Sequence, residues 1–356
     1  MSGRSLNKIT ILSGDGIGPE VIAQALKVLT AVEKKYSIKW TIEHALIGAC
    51  AIDATGDPFP EASLIACQSA DAILLGAIGD PKYDNDPSAL IRPEQGLLRM
   101  RKSLGLYANI RPVKIYNQLL HLSVFKPETL KDVDFVIYRE LTGGIYFGEK
   151  IKEATYSSDL CLYYRYEIER ITHLAFQQAM TRKKKLTLVD KANVLATSRL
   201  WRSVVKELSV QYPEVTLDFL FIDNAAMQVI LNPSRFDVVL CDNLFGDILS
   251  DEASVLSGSM GLLPSASKGD TSALYEPIHG SYPQAAGKDI ANPLATILSV
   301  EMMLRDFGYF LEADDILKSV DKCIADGFLT EDLRPQVSFK CSEVGDMVAG
   351  LIFKNK

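Results

Sequence analysis

The chain has 356 residues, 47% of them hydrophobic, 23% charged and 8% aromatic, with a formal net charge of -7. At roughly 150 residues per domain this predicts two globular domains, and an acidic balance without a basic stripe argues against a nucleic-acid surface. Six scattered cysteines without CxxC, four unclustered histidines, no apolar leader and no membrane-length run exclude a structural zinc site and a transmembrane span, and predict a reducing, cytoplasmic setting.

In chain order, KITIL (8–12) followed by SGDGIGPEVIAQALKVLTAVEKK reads as strand, glycine-rich turn and helix, with Pro19 in the first helical turn and Val21, Ile22, Ala25, Leu26, Leu29 and Val32 at helical spacing. GDGIGPE lacks the GxGxxG spacing of a dinucleotide loop, so its glycines are equally explained by the turn itself. A second strand over 72–75 ends in GAIGDP. In PEQGLLRMRKSLGLYANIRPV (93–113), Arg99, Arg101 and Arg111 interleave with Leu97, Leu98, Leu104 and Leu106. One such arginine usually packs its stem and leaves its head in water, whereas several beside an acidic site suit bidentate grip of carboxylates.

DVDFVIYRELTGGIYFGEK (132–150) supplies a strand, Arg139, a Gly-Gly turn and Tyr146, and the polar, β-prone stretch to about Ser158 predicts a projecting hairpin. A long amphipathic helix is expected over 159–181. KLTLVDKANVLATSRLWRSVVKEL is again strand, turn and helix, with Lys191 at the strand exit, and VTLDFLFIDNAAMQVIL repeats the scheme with Asp223. DVVLC (237–241) is a further, buried strand, turning through Asp242 and Asn243 into a helix that looks largely buried. On it Asp247 and Asp251 share one face, one turn apart. Two like charges so placed repel and call for an offsetting group, for which a hard cation such as Mg²⁺ or Mn²⁺ is suited; the alternative is a solvated acidic face. Residues 278–292 form a loop by composition, followed by a helix from Pro293, an amphipathic helix near 311–325 and a closing VGDMVAGLIFK. Strand-helix alternation of this kind predicts an α/β protein.

Taken together, these residues resemble the β-decarboxylating family of isocitrate and isopropylmalate dehydrogenases, from GDGIGPEV to the helix after IANP, with DNLFGDILSDEAS and GSMGLLPSAS as the most specific segments. LLRMRKSLGLYANIRP and TGGIYFGE are similar to the isopropylmalate branch. The resemblance implies two open α/β domains flanking a cleft, not a Rossmann fold: a discontinuous nucleotide-binding domain (1–106 plus 258–356) and a central domain (107–257) bearing the hairpin arm, the dimer interface and the metal and catalytic residues. It implies an enzyme of leucine biosynthesis that oxidises 3-isopropylmalate with NAD and releases CO₂ and 4-methyl-2-oxopentanoate. Relatives acting on D-malate, tartrate or homoisocitrate, and non-catalytic regulatory subunits, are the alternatives.

The resemblance further assigns roles. Asp223, Asp247 and Asp251 would hold Mg²⁺ or Mn²⁺, with Asp223 also near substrate, while Arg101, Arg111 and Arg139 would grip its carboxylates. Lys191 would be the base and Tyr146 the acid that protonates the enol carbon. Glu94, Leu97, Leu98 and Val194 would meet the isopropyl group. A homodimer would share its active sites, each chain lending Lys191 and Asp223 to its partner. The loop HGSYPQAAGKDIANP would wrap the adenosine half of the cofactor, with His279 and Asn292 at adenine, Gly280 and Ser281 at phosphates or ribose, and Ile17 and Asn193 also in contact. Gln284 stands where NAD-linked members carry Asp, and Tyr282 where they carry Ala. Glutamine bonds ribose hydroxyls but repels no phosphate, so NAD use with weakened discrimination against NADP is expected.

Overall fold

The computed structural model describes residues 5–84 and 90–354. Contacts group the chain into two compact units, one within 1–106 and 259–356, the other within 107–258. The strands are β1 (Lys8–Gly14), β2 (Thr41–Ala45), β3 (Ala72–Ala77), β4 (Ala108–Lys114), β5 (Asp134–Glu140), β6 (Lys150–Lys152), β7 (Ser157–Asp159), β8 (Lys185–Asp190), β9 (Thr216–Phe221), β10 (Val238–Cys241), β11 (Pro264–Lys268) and β12 (Ala273–Pro277). Among the described residues no helix is long and apolar enough to cross a membrane.

In the first unit the strands run β2-β1-β3-β12-β11. All are parallel except β11, which pairs antiparallel with β12. Every residue of β3, AILLGA, is buried, the pattern of a strand covered on both faces. Leu12, Ile73, Leu75 and Leu274 pack with Phe59, Met100, Leu104 and Leu106. The helices Gly18–Tyr36 and Leu294–Asp306 also pack on β3. The first of these carries proline in its opening turn, buries Val21, Ile22, Ala25, Val28, Leu29 and Val32, and ends at Ser37 with φ of 56°. A positive φ at the C-cap satisfies terminal carbonyls and stops the helix.

The second unit has the order β4-β5-β10-β8-β9, again parallel apart from β4, which runs antiparallel to β5. Phe135, Ile137, Val189, Leu220, Val239 and Cys241 of this sheet meet Ala225, Val229 and Phe236, and Leu249, Ala253 and Leu256. The helices Ala196–Leu208 and Ile222–Leu231 link β8 to β9 and β9 to β10. Parallel strands need such crossovers, and the loops leaving the carboxyl ends of open parallel sheets are where ligands bind.

Two expectations are corrected here. The helix expected over 159–181 is Arg165–Met180, because Ser157–Asp159 pair with Lys150–Lys152 as a solvent-exposed hairpin. Glu167 fixes the later start: its carboxylate accepts from the Tyr164 backbone amide at 2.8 Å, which caps the helix there. The helix Asn243–Ser254 is amphipathic rather than largely buried. Asn243, Gly246, Leu249, Ser250, Ala253 and Ser254 face inward, while Ile248 and Val255 are 56% and 52% exposed.

Candidate active site

The carboxyl ends of β5, β8, β9 and β10 in the second unit carry the charged groups singled out in the sequence. Arg139 is the penultimate residue of β5, Lys191 follows β8 directly, Asp223 lies in the first turn after β9, and the helix of Asp247 and Asp251 follows β10. That helix starts at Asp242, whose carboxylate accepts from the Phe245 amide at 2.8 Å. Burial lifts the Asp242 carboxyl to about 7, against the pull of that amide.

Asp247 and Asp251 share a face and hold different cations. Arg139 donates to Asp247 through Nη1, and Tyr146 donates its hydroxyl to the other carboxylate oxygen at 3.0 Å. Arg111 donates from Nη1 to Asp251 at 3.0 Å and to the Ser250 hydroxyl at 2.7 Å, while its Nε reaches Asn109 Oδ1 at 2.7 Å. The Asp247 and Asp251 side chains keep 31% and 63% of their surface exposed, so both remain open to further ligands. Burial and then the negative charge of Asp247 push the Tyr146 phenol upward from its ordinary range. Gly246 makes room for the arginine: a Cβ there would lie 2.7 Å from Arg139 Cγ.

Lys191 pairs with Asp223 at 2.9 Å. The lysine holds the Asp223 carboxyl below the usual carboxylate range. Its own backbone amide donates to Ser198 at 3.0 Å. Asp223 lies in the first turn of its helix, whose N-cap is Phe221, and the amides of that turn add to the pull of Lys191 on its carboxyl. Among the described residues no three His, Cys, Asp or Glu side chains converge in a metal-holding group; within one chain Asp223 therefore does not join Asp247 and Asp251. Those two oxygen donors one turn apart fit a hard divalent cation, which commonly takes one or two protein carboxylates and completes its shell with substrate and water.

In the first unit, Arg101 lies in the last turn of the helix Pro93–Ser103 and donates to Glu276 of β12 at 3.1 Å. Glu94 and Leu98 are exposed on that helix, and Leu97 is half-buried against the core. Arg99 turns away to Asp57 at 2.7 Å. The GDGIGPE turn meets the loop after β12. Ile17 donates its amide to the Ser281 carbonyl at 2.8 Å, and Gly16, at φ +58°, sits so close that a Cβ would fall 2.0 Å from that oxygen. The glycines thus serve backbone packing. A cavity of about 740 Å³ lies beside this junction, lined among others by Ile17, Met260, His279, Gly280, Tyr282 and Asn292. His279 Nε2 is buried with no hydrogen-bond partner, and burial lowers its pKa. A neutral imidazole nitrogen left unpaired beside a cavity of this size fits the heterocycle of a nucleotide.

Ser281 is buried behind the lining and Gln284 is exposed outside it. Asn193 and Val194 lie exposed after Lys191 in the second unit. Sequence reading missed Glu331, Asp332 and Arg334 in the cavity wall. Asp332 accepts from Asn292 Nδ2 at 3.1 Å. The only local signal was the charged turn EDLR between two amphipathic helices.

Two mostly parallel α/β units, one with aspartates, arginines and a lysine gathered near the ends of its strands and the other with a cavity of nucleotide size, have the architecture of an α/β enzyme. The comparisons with known proteins make this specific. Residues 8–348 match the isocitrate/isopropylmalate dehydrogenase family, and the chain belongs to it. It is 52% identical to the 3-isopropylmalate dehydrogenase of Bacteroides fragilis, over 98% of this chain and 99% of the relative. It is 54% identical to the protein of that name from Streptococcus thermophilus, over 97% and 98%. The isocitrate dehydrogenase structure from Methylococcus capsulatus superposes with a TM-score of 0.88 at 33% identity, covering 98% of this chain and 99% of that one.

Proposed function

We propose that this protein oxidises and decarboxylates 3-isopropylmalate with NAD as hydride acceptor, the dehydrogenase step of leucine biosynthesis. The observation that carries the reading is the sharing of one carboxylate, Asp247, by the Arg139 guanidinium and the Tyr146 hydroxyl, in a chain more than half identical to proteins of that name. Leu98, exposed one turn from Glu94, suits a branched alkyl group better than a further carboxylate.

Arg101, Arg111 and Arg139 orient the two carboxylates of the substrate, and Lys191 takes the hydroxyl proton directly or through water as hydride leaves the same carbon. Loss of the β-carboxylate as CO₂ leaves an enolate, which Tyr146 protonates at carbon. A phenol with a raised pKa stays protonated at neutral pH, as a donor must. Asp247 and Asp251, with Asp223 of a second copy, would hold Mg²⁺ or Mn²⁺. Such an ion supplies Lewis-acid stabilisation of negative charge on the substrate oxygens. Two aspartates paired with two arginines are neutral, and a divalent cation arriving with a dianionic substrate keeps that balance, so burial of the complex leaves no net charge to desolvate.

The first unit would hold the adenosine half of NAD, with His279 and Asn292 at adenine. Gly280 and Ser281 meet the phosphate or ribose, and Ile17 forms the floor. Glu331 and Asp332 in the wall favour NAD over a cofactor with a 2′-phosphate despite Gln284. The active unit is a homodimer in the cytoplasm. The helices Ile222–Leu231 and Asn243–Ser254 pack together and leave Met227, Ile230, Leu231, Ile248 and, at the helix end, Val255 exposed, apolar side chains that a partner copy would cover.

The protein purified alone, with Mg²⁺, NAD and 3-isopropylmalate, is expected to form NADH and 4-methyl-2-oxopentanoate in equal amounts. Lys191→Met should abolish turnover while leaving NAD binding intact. A correctly folded parent without turnover, or an active Lys191→Met protein, contradicts the reading.

A further inference from the structure

Asn243 is almost fully buried and touches every element that carries the Arg139–Tyr146–Asp247 cluster. Its side-chain Oδ1 accepts from Arg139 Nε at 3.1 Å and Nη2 at 2.9 Å, and its backbone carbonyl accepts again from Nε at 3.0 Å. These contacts occupy the guanidinium on the side away from Nη1, the nitrogen given to Asp247. Its side-chain Nδ2 donates to the Gly143 carbonyl at 3.1 Å, in the Gly-Gly turn that leads to Tyr146. Its backbone amide donates to the Tyr163 hydroxyl at 2.9 Å. Tyr163 in turn crowds that turn: a Cβ on Gly144, where φ is +76°, would fall 2.4 Å from the same hydroxyl.

We infer that Asn243 is a positioning residue for this reaction, fixing the guanidinium that grips substrate and the turn that aims the proton-donating tyrosine. The inference rests on the proposed dehydrogenase activity. It follows from the chemistry of a primary amide, which carries its acceptor and its donor on separate atoms and so can accept from an arginine on one side and donate to a carbonyl on the other. Both bonds are out of water, where an unmade partner is costly and a made one holds its geometry. Asparagine also sits at the first residue of the helix that bears Asp247, so one side chain ties strand, turn and helix together at their common corner.

The two functions of the amide can be separated. Asn243→Asp keeps the acceptor for Arg139 but sets a carboxylate oxygen against the Gly143 carbonyl. It is expected to lower kcat by about 10- to 100-fold, the usual cost of a reacting group misplaced by an ångström, while KM for 3-isopropylmalate changes less than about threefold. The solvent deuterium isotope effect on kcat should rise, because proton donation by Tyr146 becomes limiting. Amide exchange over residues 141–149 should quicken. Asn243→Ser introduces no charge and removes both ties, so it should raise KM as well as lower kcat. In a Tyr146→Phe background, Asn243→Asp should cost no further kcat. Unchanged exchange over 141–149, or an equal kcat penalty with and without the Tyr146 hydroxyl, overturns the inference. Exchange is read without turnover, so an idle parent enzyme would sink the assigned activity and still leave this positioning role decided by the exchange result.

Discussion

At the scale of single residues, the site depends on side chains that hold each other. Arg139 is buried and passes against Gly246. Gly246→Ala should therefore displace the guanidinium and raise KM for 3-isopropylmalate by about tenfold or more, with NAD affinity unchanged; an unaltered KM would remove Arg139 from substrate binding. In the cavity of the first unit, two wall carboxylates stand against one arginine. Catalytic efficiency should accordingly favour NAD over NADP, and a ratio strongly favouring NADP would falsify the nucleotide assignment. The sequence made Asp247, Asp251, Arg111, Arg139 and Tyr146 visible because each stands in a distinctive segment. Asn243 stands in the same segment as Asp247, but its role was hidden, because bonds to 139, 143 and 163 exist only in the fold. Glu331, Asp332 and Arg334 were hidden for the same reason: they reach the cavity of residues 279–292 only through the fold.

At the scale of elements, Asp242 links chemistry to stability. Its carboxyl starts the helix of Asp247 and is raised to about 7, above an unfolded value of about 3.9. A raised native pKa means the folded state keeps the proton longer than the unfolded chain. The stability this group contributes is full below about pH 4 and is lost as pH rises through 7. Asn at this position still accepts from the Phe245 amide but does not titrate. The Tm advantage of Asp242→Asn over the parent should grow between pH 5 and pH 8, on the order of a few degrees; a constant difference across that range would show that the carboxylate is not destabilised by burial. Strand and helix placement was readable from periodicity wherever apolar spacing was regular, as in Gly18–Tyr36 and Phe310–Ala325. It failed at 159–164, where Leu160, Leu162 and Tyr164 fall two apart, the spacing of an extended segment rather than a helix, and are exposed beside a hairpin. Periodicity reports apolar spacing and cannot say whether the partner surface belongs to the same chain.

At the scale of the whole molecule, the exposed apolar faces and the separated aspartates belong to one argument. Asp223 is paired with Lys191 and, among the described residues, no third acid joins Asp247 and Asp251, so the proposed metal set would need the Asp223 of a second copy. Sedimentation should give a dimer, and Ile248→Asp together with Met227→Asp should produce folded monomers with little turnover; active monomers would contradict the shared site. The central claim, that this family member acts on 3-isopropylmalate, is tested most directly by kcat/KM for 3-isopropylmalate and D-malate measured side by side with Mg²⁺ and NAD. An advantage of at least about tenfold for the branched substrate is predicted, since filling an apolar pocket with a few further carbons contributes at least 1–3 kcal/mol. Comparable efficiencies on the two acids would contradict it.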